Sequence, residues 1–126
     1  MAKVLIVDDS PTELHQLSQM LTRHGHAVIT ARNGADAVAL CREEQPQAVL
    51  MDIVMPGLNG FQATRQLTKD ALTKHIPVVI ITTKDQKTDR AWGIRQGAKE
   101  YLTKPVDEQA LMGIINRLLE KVVEKA

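Results

Sequence analysis

Residues 4–13 read Val-Leu-Ile-Val-Asp-Asp-Ser-Pro-Thr-Glu. The opening run of four is apolar at every position and too short for a helix. It reads as a strand buried on both faces, the signature of a parallel sheet. The run stops at two carboxylates. Ser10-Pro11-Thr12-Glu13 then spells a capping box with proline at the first helical position. Strand, acidic turn and helix start thus fall within ten residues.

The same unit recurs along the chain. Ala48-Val49-Leu50-Met51 ends at Asp52, and Val78-Val79-Ile80-Ile81 ends at Thr82-Thr83. Ala27 to Ala31 and Glu100 to Thr103 read as weaker, less buried strands. The first helix presents Leu14, Leu17, Met20 and Leu21 on one face, with Gly25 suited to its C-terminal cap. Asn33 caps the second, which turns Ala37, Leu40 and Cys41 inward before Pro46. The third runs from Gly60 to Lys69. The fourth lies between Asp85 and Gln96 and ends at Gly97, with Ala91, Ile94 and Ala98 as its core stripe. The fifth follows Asp107, with Leu111, Ile114, Ile115, Leu118 and Val122 at core spacing. Met112, Leu119 and Val123 form a second stripe on it. Five strands alternating with five helices predict an open α/β parallel sheet, helices on both faces and right-handed crossovers. Strand order 2-1-3-4-5, the flavodoxin-like arrangement, is the commoner choice for a small protein.

Composition narrows the function classes. At 126 residues, 44% hydrophobic and 25% charged, the chain has the makeup of one globular domain. Its formal charge of +1 leaves no broad basic footprint for nucleic acid and no polybasic block for a membrane. The single cysteine, Cys41, has no partner for an internal disulfide, which fits a reducing, cytoplasmic setting. The apolar run before Asp8 is too short for a signal peptide or a membrane span.

In an open α/β sheet, ligands sit beyond the carboxyl ends of the strands, near the point where strand order reverses. Those ends carry Asp8-Asp9, Asp52, Thr82 and, after the weak fifth strand, Lys104. Carboxylates converging in one crevice repel and raise one another's pKa unless positive charge joins them. A hard divalent cation such as Mg2+ suits oxygen ligands, and a lysine ammonium neutralises part of the remainder. A carboxylate is also a nucleophile, and aspartyl phosphate is one of its covalent intermediates. Phosphoryl transfer asks for positioning and for positive charge around the equatorial oxygens. Asp52, alone at its strand end before the flexible Met55-Pro56-Gly57 turn, is the natural nucleophile. Each residue by itself has a plainer reading, as turn former or surface turn. The ordered set on four strand ends is what discriminates.

With that set in view, the whole chain resembles a response-regulator receiver domain of the CheY-like kind. Asp8-Asp9, Asp52 with Met55-Pro56-Gly57 and Gly60, Thr82, Tyr101 and Lys104-Pro105 carry the resemblance. It implies that residues 1–126 form a single receiver domain without an output domain. It implies Asp52 as phosphoacceptor, and Mg2+ held by Asp9, Asp52 and the backbone carbonyl of Val54, with Asp8 assisting through water. Lys104 would contact the phosphoryl group. Thr82 would move toward it and Tyr101 follow inward, altering a face made by the fourth helix, fifth strand and fifth helix. The Lys104-Pro105 bond is cis in such domains. Residues 51–70, 82–86 and 101–108 further resemble the branch controlling type IV pilus twitching motility. That implies a chemotaxis-like pathway, a CheA-like histidine kinase as phosphodonor, and a pilus-motor effector docking near Trp92, Tyr101, Met112 and Leu119. The expected partners exclude nucleic acid and membrane, and the expected state is monomer or weak dimer. Such a module catalyses only its own phosphorylation and dephosphorylation.

Two neighbours of the site depart from the best-known chemotaxis receivers. Val54 and Lys84 stand where those carry polar or acidic side chains, so the rate of phosphate loss should differ. A rival reading makes the chain a phosphate sink that drains the kinase without an effector. An aspartyl-phosphate phosphatase of the haloacid-dehalogenase type needs a second acid where Val54 stands. A flavodoxin-like redox protein needs a hydroxyl-rich loop in place of Asp8-Asp9, and the phosphate-binding GxxxxGK motif is absent. Remaining features read as structural. His24 meets a helix C-terminus, His15 and His75 lie on the surface, and Cys41 packs as a small hydrophobe.

Overall fold

The computed structural model describes residues 2–125, with side chains described for 2–120. β1 (Lys3–Val7) pairs in parallel with β2 (Ala27–Ala31) on one side and β3 (Ala48–Met51) on the other. β4 (Val78–Thr82) and β5 (Glu100–Thr103) extend the sheet in parallel, giving the order β2-β1-β3-β4-β5. The helices between them are α1 (Pro11–Arg23), α2 (Gly34–Glu44), α3 (Gly60–Lys69), α4 (Lys87–Arg95) and α5 (Glu108–Lys125).

The continuous apolar runs split between two cores because side chains alternate along a strand. Val4 and Ile6 pack with Leu14, Leu17 and Leu21 of α1 and with Leu111, Ile115 and Leu118 of α5. Leu5 and Val7 point the other way, onto Ala37, Val38 and Cys41 of α2 and Ala63 and Leu67 of α3. The edge strand β2 is only partly buried, as its weaker pattern predicts. Cys41 is buried, and desolvation pushes its thiol up to about 12, so it packs as a hydrophobe.

Helix ends follow the local signals, with one exception. Asn33 accepts the Asp36 N–H at α2, and Asn59 with Gln62 forms a complete capping box at α3. Gly25, just past α1, has φ +84°. At α1 itself Ser10 accepts the Glu13 N–H, but the Ser10 N–H donates to Asp8 Oδ1, so only half of the expected box forms. His24 does more than meet a helix end. Its Nε2 lies 2.9 Å from Glu108 Oε2, and Arg23 joins the same carboxylate, pinning the end of α1 to the start of α5.

The stripe expected on α4 is corrected in part, and the second stripe on α5 is decided. In α4, Ala91 and Ile94 face solvent, and Ile94 is 50% exposed. Ala98, just past the helix, is buried as expected, and Gly93 and Gln96 face inward in place of Ala91 and Ile94. A Cβ on Gly93 would lie 2.8 Å from Ile80 Cδ1 and 3.0 Å from Tyr101 Cδ2, so the helix sits too close to the sheet for a side chain there. In α5, Met112 is buried in the first core and Leu119 packs against it, so this stripe is packing rather than a free face. Val122 and Val123 lie outside the described side chains.

Candidate functional site

The crevice between the carboxyl ends of β1 and β3 is where strand order reverses, and the chain delivers the acids to it directly. The Asp52 N–H donates to the Val7 carbonyl at 2.9 Å, which continues the ladder and sets Asp52 beside Asp8. The Asp8 N–H donates to the Ala31 carbonyl at 3.1 Å. One carboxylate oxygen from each of Asp8, Asp9 and Asp52 lies within 4.8 Å of the others. Asp8 and Asp52 are buried, whereas Asp9 is exposed at the mouth. A hard cation that takes oxygen ligands fits this donor set.

Lys104 enters from the end of β5. Its Nζ donates to Asp8 Oδ2 at 2.6 Å and lies 3.6 Å from Asp52 Oδ2 and 3.8 Å from Glu13 Oε2. Its N–H donates to the Thr82 carbonyl at 2.8 Å, and the following Lys104-Pro105 peptide is cis. Burial works against the ammonium. The Asp8 hydrogen bond and the charges of Asp52, Asp8 and Glu13 outweigh that and hold its pKa above the ordinary lysine value. At Asp52 the balance runs the other way. Burial raises its pKa; Lys104 opposes this, Asp8 adds to it, and the Ile53 N–H and Thr82 hydroxyl pull it down without cancelling the rise.

The turn after Asp52 brings α3 to within touching distance of it. The Gly60 N–H donates to the Ile53 carbonyl at 2.9 Å, and a Cβ on Gly60 would lie 2.0 Å from the Asp52 carbonyl oxygen. Gly57, at φ +72°, turns the loop in a region that favours glycine. Val54 projects outward at 58% exposure, and Lys84 is also exposed.

Thr82 and Tyr101 are linked through a single backbone. Thr82 is fully buried, and its Oγ1 accepts the Lys84 N–H at 3.4 Å. The Lys84 carbonyl accepts the Tyr101 hydroxyl at 2.7 Å. The Tyr101 ring already lies inside, packed with Ile53, Ile80 and Ala98, and Arg90 stacks 5.1 Å from its centroid. Of the residues expected on the docking face, Trp92 is 48% exposed while Tyr101 and Met112 are buried.

The family model of the response regulator receiver domain matches residues 4–116. The chain belongs to this family. Among its relatives, PilH of Pseudomonas aeruginosa is 68% identical over 119 residues, covering 94% of this chain and 98% of that protein. The solved structure of the Vibrio cholerae chemotaxis protein CheY4 shares 30% identity with this receiver domain at a TM-score of 0.86. The match covers 94% of this chain and 98% of that one. The receiver domain of a Pseudomonas aeruginosa sensor histidine kinase, solved with magnesium ion coordinated in its active-site cleft, shares 28% identity at a TM-score of 0.88. That match covers 94% of this chain and 98% of the other.

Within this receiver domain, Asp8, Asp9, Asp52, Thr82 and Lys104 are the residues the strand-end pattern singles out, and the fold brings them to one crevice. Two participants escape that pattern. Glu13 reads in sequence as half of a capping box, and nothing local shows that it turns to Lys104. The Lys84 backbone bridge between Thr82 and Tyr101 has no sequence signal, because a main-chain group carries no side-chain pattern. Among the described residues, no helix is long and apolar enough to cross a membrane.

Proposed function

We propose that this receiver domain accepts a phosphoryl group on Asp52 from a CheA-like histidine kinase and switches a protein-binding face. We place it, as a cytoplasmic module, in a chemotaxis-like pathway controlling type IV pilus twitching motility. The observation that carries the reading is the buried Asp52 carboxylate, 3.6 Å from the Lys104 ammonium within a cluster of acids. The 68% identity to PilH supports the pathway.

Asp9, Asp52 and the Val54 carbonyl would hold Mg2+, with Asp8 assisting through water. The ion would supply positive charge that offsets the acids and the transferring oxygens. Asp52 attacks phosphorus with a carboxylate oxygen as the P–N bond to the kinase histidine breaks, and the imidazole leaves with the electron pair. Lys104, already held between Asp8 and Asp52, shifts its ammonium onto a phosphoryl oxygen. Thr82 turns its hydroxyl to another. That turn removes the acceptor from the Lys84 N–H, and the Lys84 carbonyl is what anchors Tyr101. The change at Asp52 therefore reaches the face between α4 and β5. Trp92, the exposed aromatic there, is the anchor a partner would use.

Intact mass after incubation with acetyl phosphate tests the reading. One phosphoryl adduct that requires both Mg2+ and Asp52 is expected, with none on Asp52→Ala. No adduct, together with no Mg2+-dependent beryllofluoride complex, would overturn it. Phosphorylation-dependent capture of an effector would separate direct output from a phosphate sink. Replacing Val54 with Asn and Lys84 with Glu together should change the rate of phosphate loss, timed on the phosphorylated protein.

A further inference from the structure

Glu13 carries the acid of a capping motif, yet its carboxylate does not cap. The Ser10 N–H that it would accept donates to Asp8 Oδ1 at 3.0 Å instead. At α3 the equivalent reciprocal bond is made, from the Asn59 N–H to Gln62 Oε1 at 3.0 Å. Glu13 Oε2 is instead drawn to Lys104 Nζ, 3.8 Å away. The same ammonium serves Asp8 at 2.6 Å and Asp52 at 3.6 Å. The site thus gathers four carboxylates (Asp8, Asp9, Asp52 and Glu13) around one lysine. Asp8 is 2% exposed, whereas the Glu13 side chain is 35% exposed, so its charge stands on the rim.

From this diversion we infer that Glu13 is a specificity-determining residue of the phosphorylation site. Its rim charge disfavours small, doubly charged phosphodonors. The inference rests on the phosphoacceptor reading above. A phosphodonor that reaches Asp52 brings its anionic group to the Lys104 ammonium that Glu13 also faces, and so into the field of the Glu13 carboxylate. A free acyl phosphate has only its own few contacts to set against that repulsion. A phosphohistidine presented by a docked kinase has the whole protein interface. Glu13 therefore biases the site toward its protein donor without touching the reacting atoms. It also competes with the phosphoryl group for Lys104.

Two small donors separate charge from structure. With acetyl phosphate, an Asp52 oxygen bonds to phosphorus as the P–O bond to acetate breaks, and acetate leaves with the electron pair. With phosphoramidate, the P–N bond breaks and ammonia leaves, its nitrogen keeping the electron pair and three protons. At neutral pH acetyl phosphate is a dianion, and phosphoramidate carries one net negative charge fewer. Phosphorylation rates of the native chain and Glu13→Gln, at saturating Mg2+, should differ by roughly three- to tenfold with acetyl phosphate at low salt, the variant being faster. The gain should be smaller with phosphoramidate and should shrink as salt rises. Glu13→Ala should reproduce that ranking. Glu43→Gln, which removes an exposed acid at the far end of α2, should not. Equal acceleration with both donors, no acceleration, or slower transfer would overturn the role of Glu13. A native chain that takes no phosphoryl group from either donor and forms no Mg2+-dependent beryllofluoride complex would instead overturn the phosphoacceptor reading, and this one with it.

Discussion

Asp52 sits where its own charge is disfavoured. Its raised pKa means that the folded chain holds a proton there at a pH where the unfolded chain has lost it. Between the ordinary carboxylate value and the raised one, folded Asp52 binds more protons than unfolded, so its contribution to stability falls as pH rises. Asp52→Asn should therefore raise the melting temperature at neutral pH, and the gain should vanish as pH drops below the ordinary carboxylate range. A series of thermal melts across pH checks this; a gain that grows toward acid would contradict it. Lys104 presents the opposite case. Its side chain is 10% exposed and answers the nearly inaccessible Asp8. Lys104→Ala leaves that carboxylate buried without a charged partner, the Ser10 N–H still donating to Oδ1, and should cost about 3 kcal/mol in urea denaturation. Added Mg2+ should recover part of that loss, because it restores positive charge to the same acids.

Among the elements, α4 shows how a glycine can outrank an apolar stripe. Ala91 and Ile94 have the spacing of a buried face, yet Gly93 is the residue against the sheet. A methyl at position 93 meets Ile80 and Tyr101, so either the helix lifts or the ring moves. Gly93→Ala should cost about 1–3 kcal/mol. It should also disturb Tyr101, the chain's one tyrosine. Burial, aided by Asp89, pushes that phenol up to about 12, with Arg90 opposing. Ultraviolet titration of the variant should find it closer to the ordinary value near 10. An unchanged titration would show that α4 yields while the ring stays in place.

At the scale of the whole molecule, the sheet places two cores back to back, and the site lies where both end. Leu50, 1% exposed within the first core, should cost about 2–5 kcal/mol when cut to alanine. Phosphoacceptor activity at a temperature where the variant stays folded should be retained. Because the acid cluster forms only in the folded state, Mg2+ should stabilise the protein by mass action. The effect is about 2.7 kcal/mol at a hundredfold excess over the dissociation constant. Melting curves with and without Mg2+ measure it, and Asp9→Ala should lose most of the shift.

Much of this molecule is written locally. Apolar runs such as 4–7, 48–51 and 78–81 identify themselves as buried strands, because no other four-residue element is apolar all round. The acids, the threonine and the lysine that follow those runs mark the functional end, because a parallel sheet aligns its carboxyl ends. Helix limits at Asn33, Gly60 and Gly97 follow from capping chemistry that needs only neighbours in sequence. Tertiary structure alone decided the rest. It set how closely α4 approaches the sheet, turned Met112 inward, drew Glu13 from its cap to Lys104, and joined Thr82 to Tyr101 through the Lys84 backbone. Each of these depends on a distance between segments far apart in the chain, and periodicity carries no information about such distances.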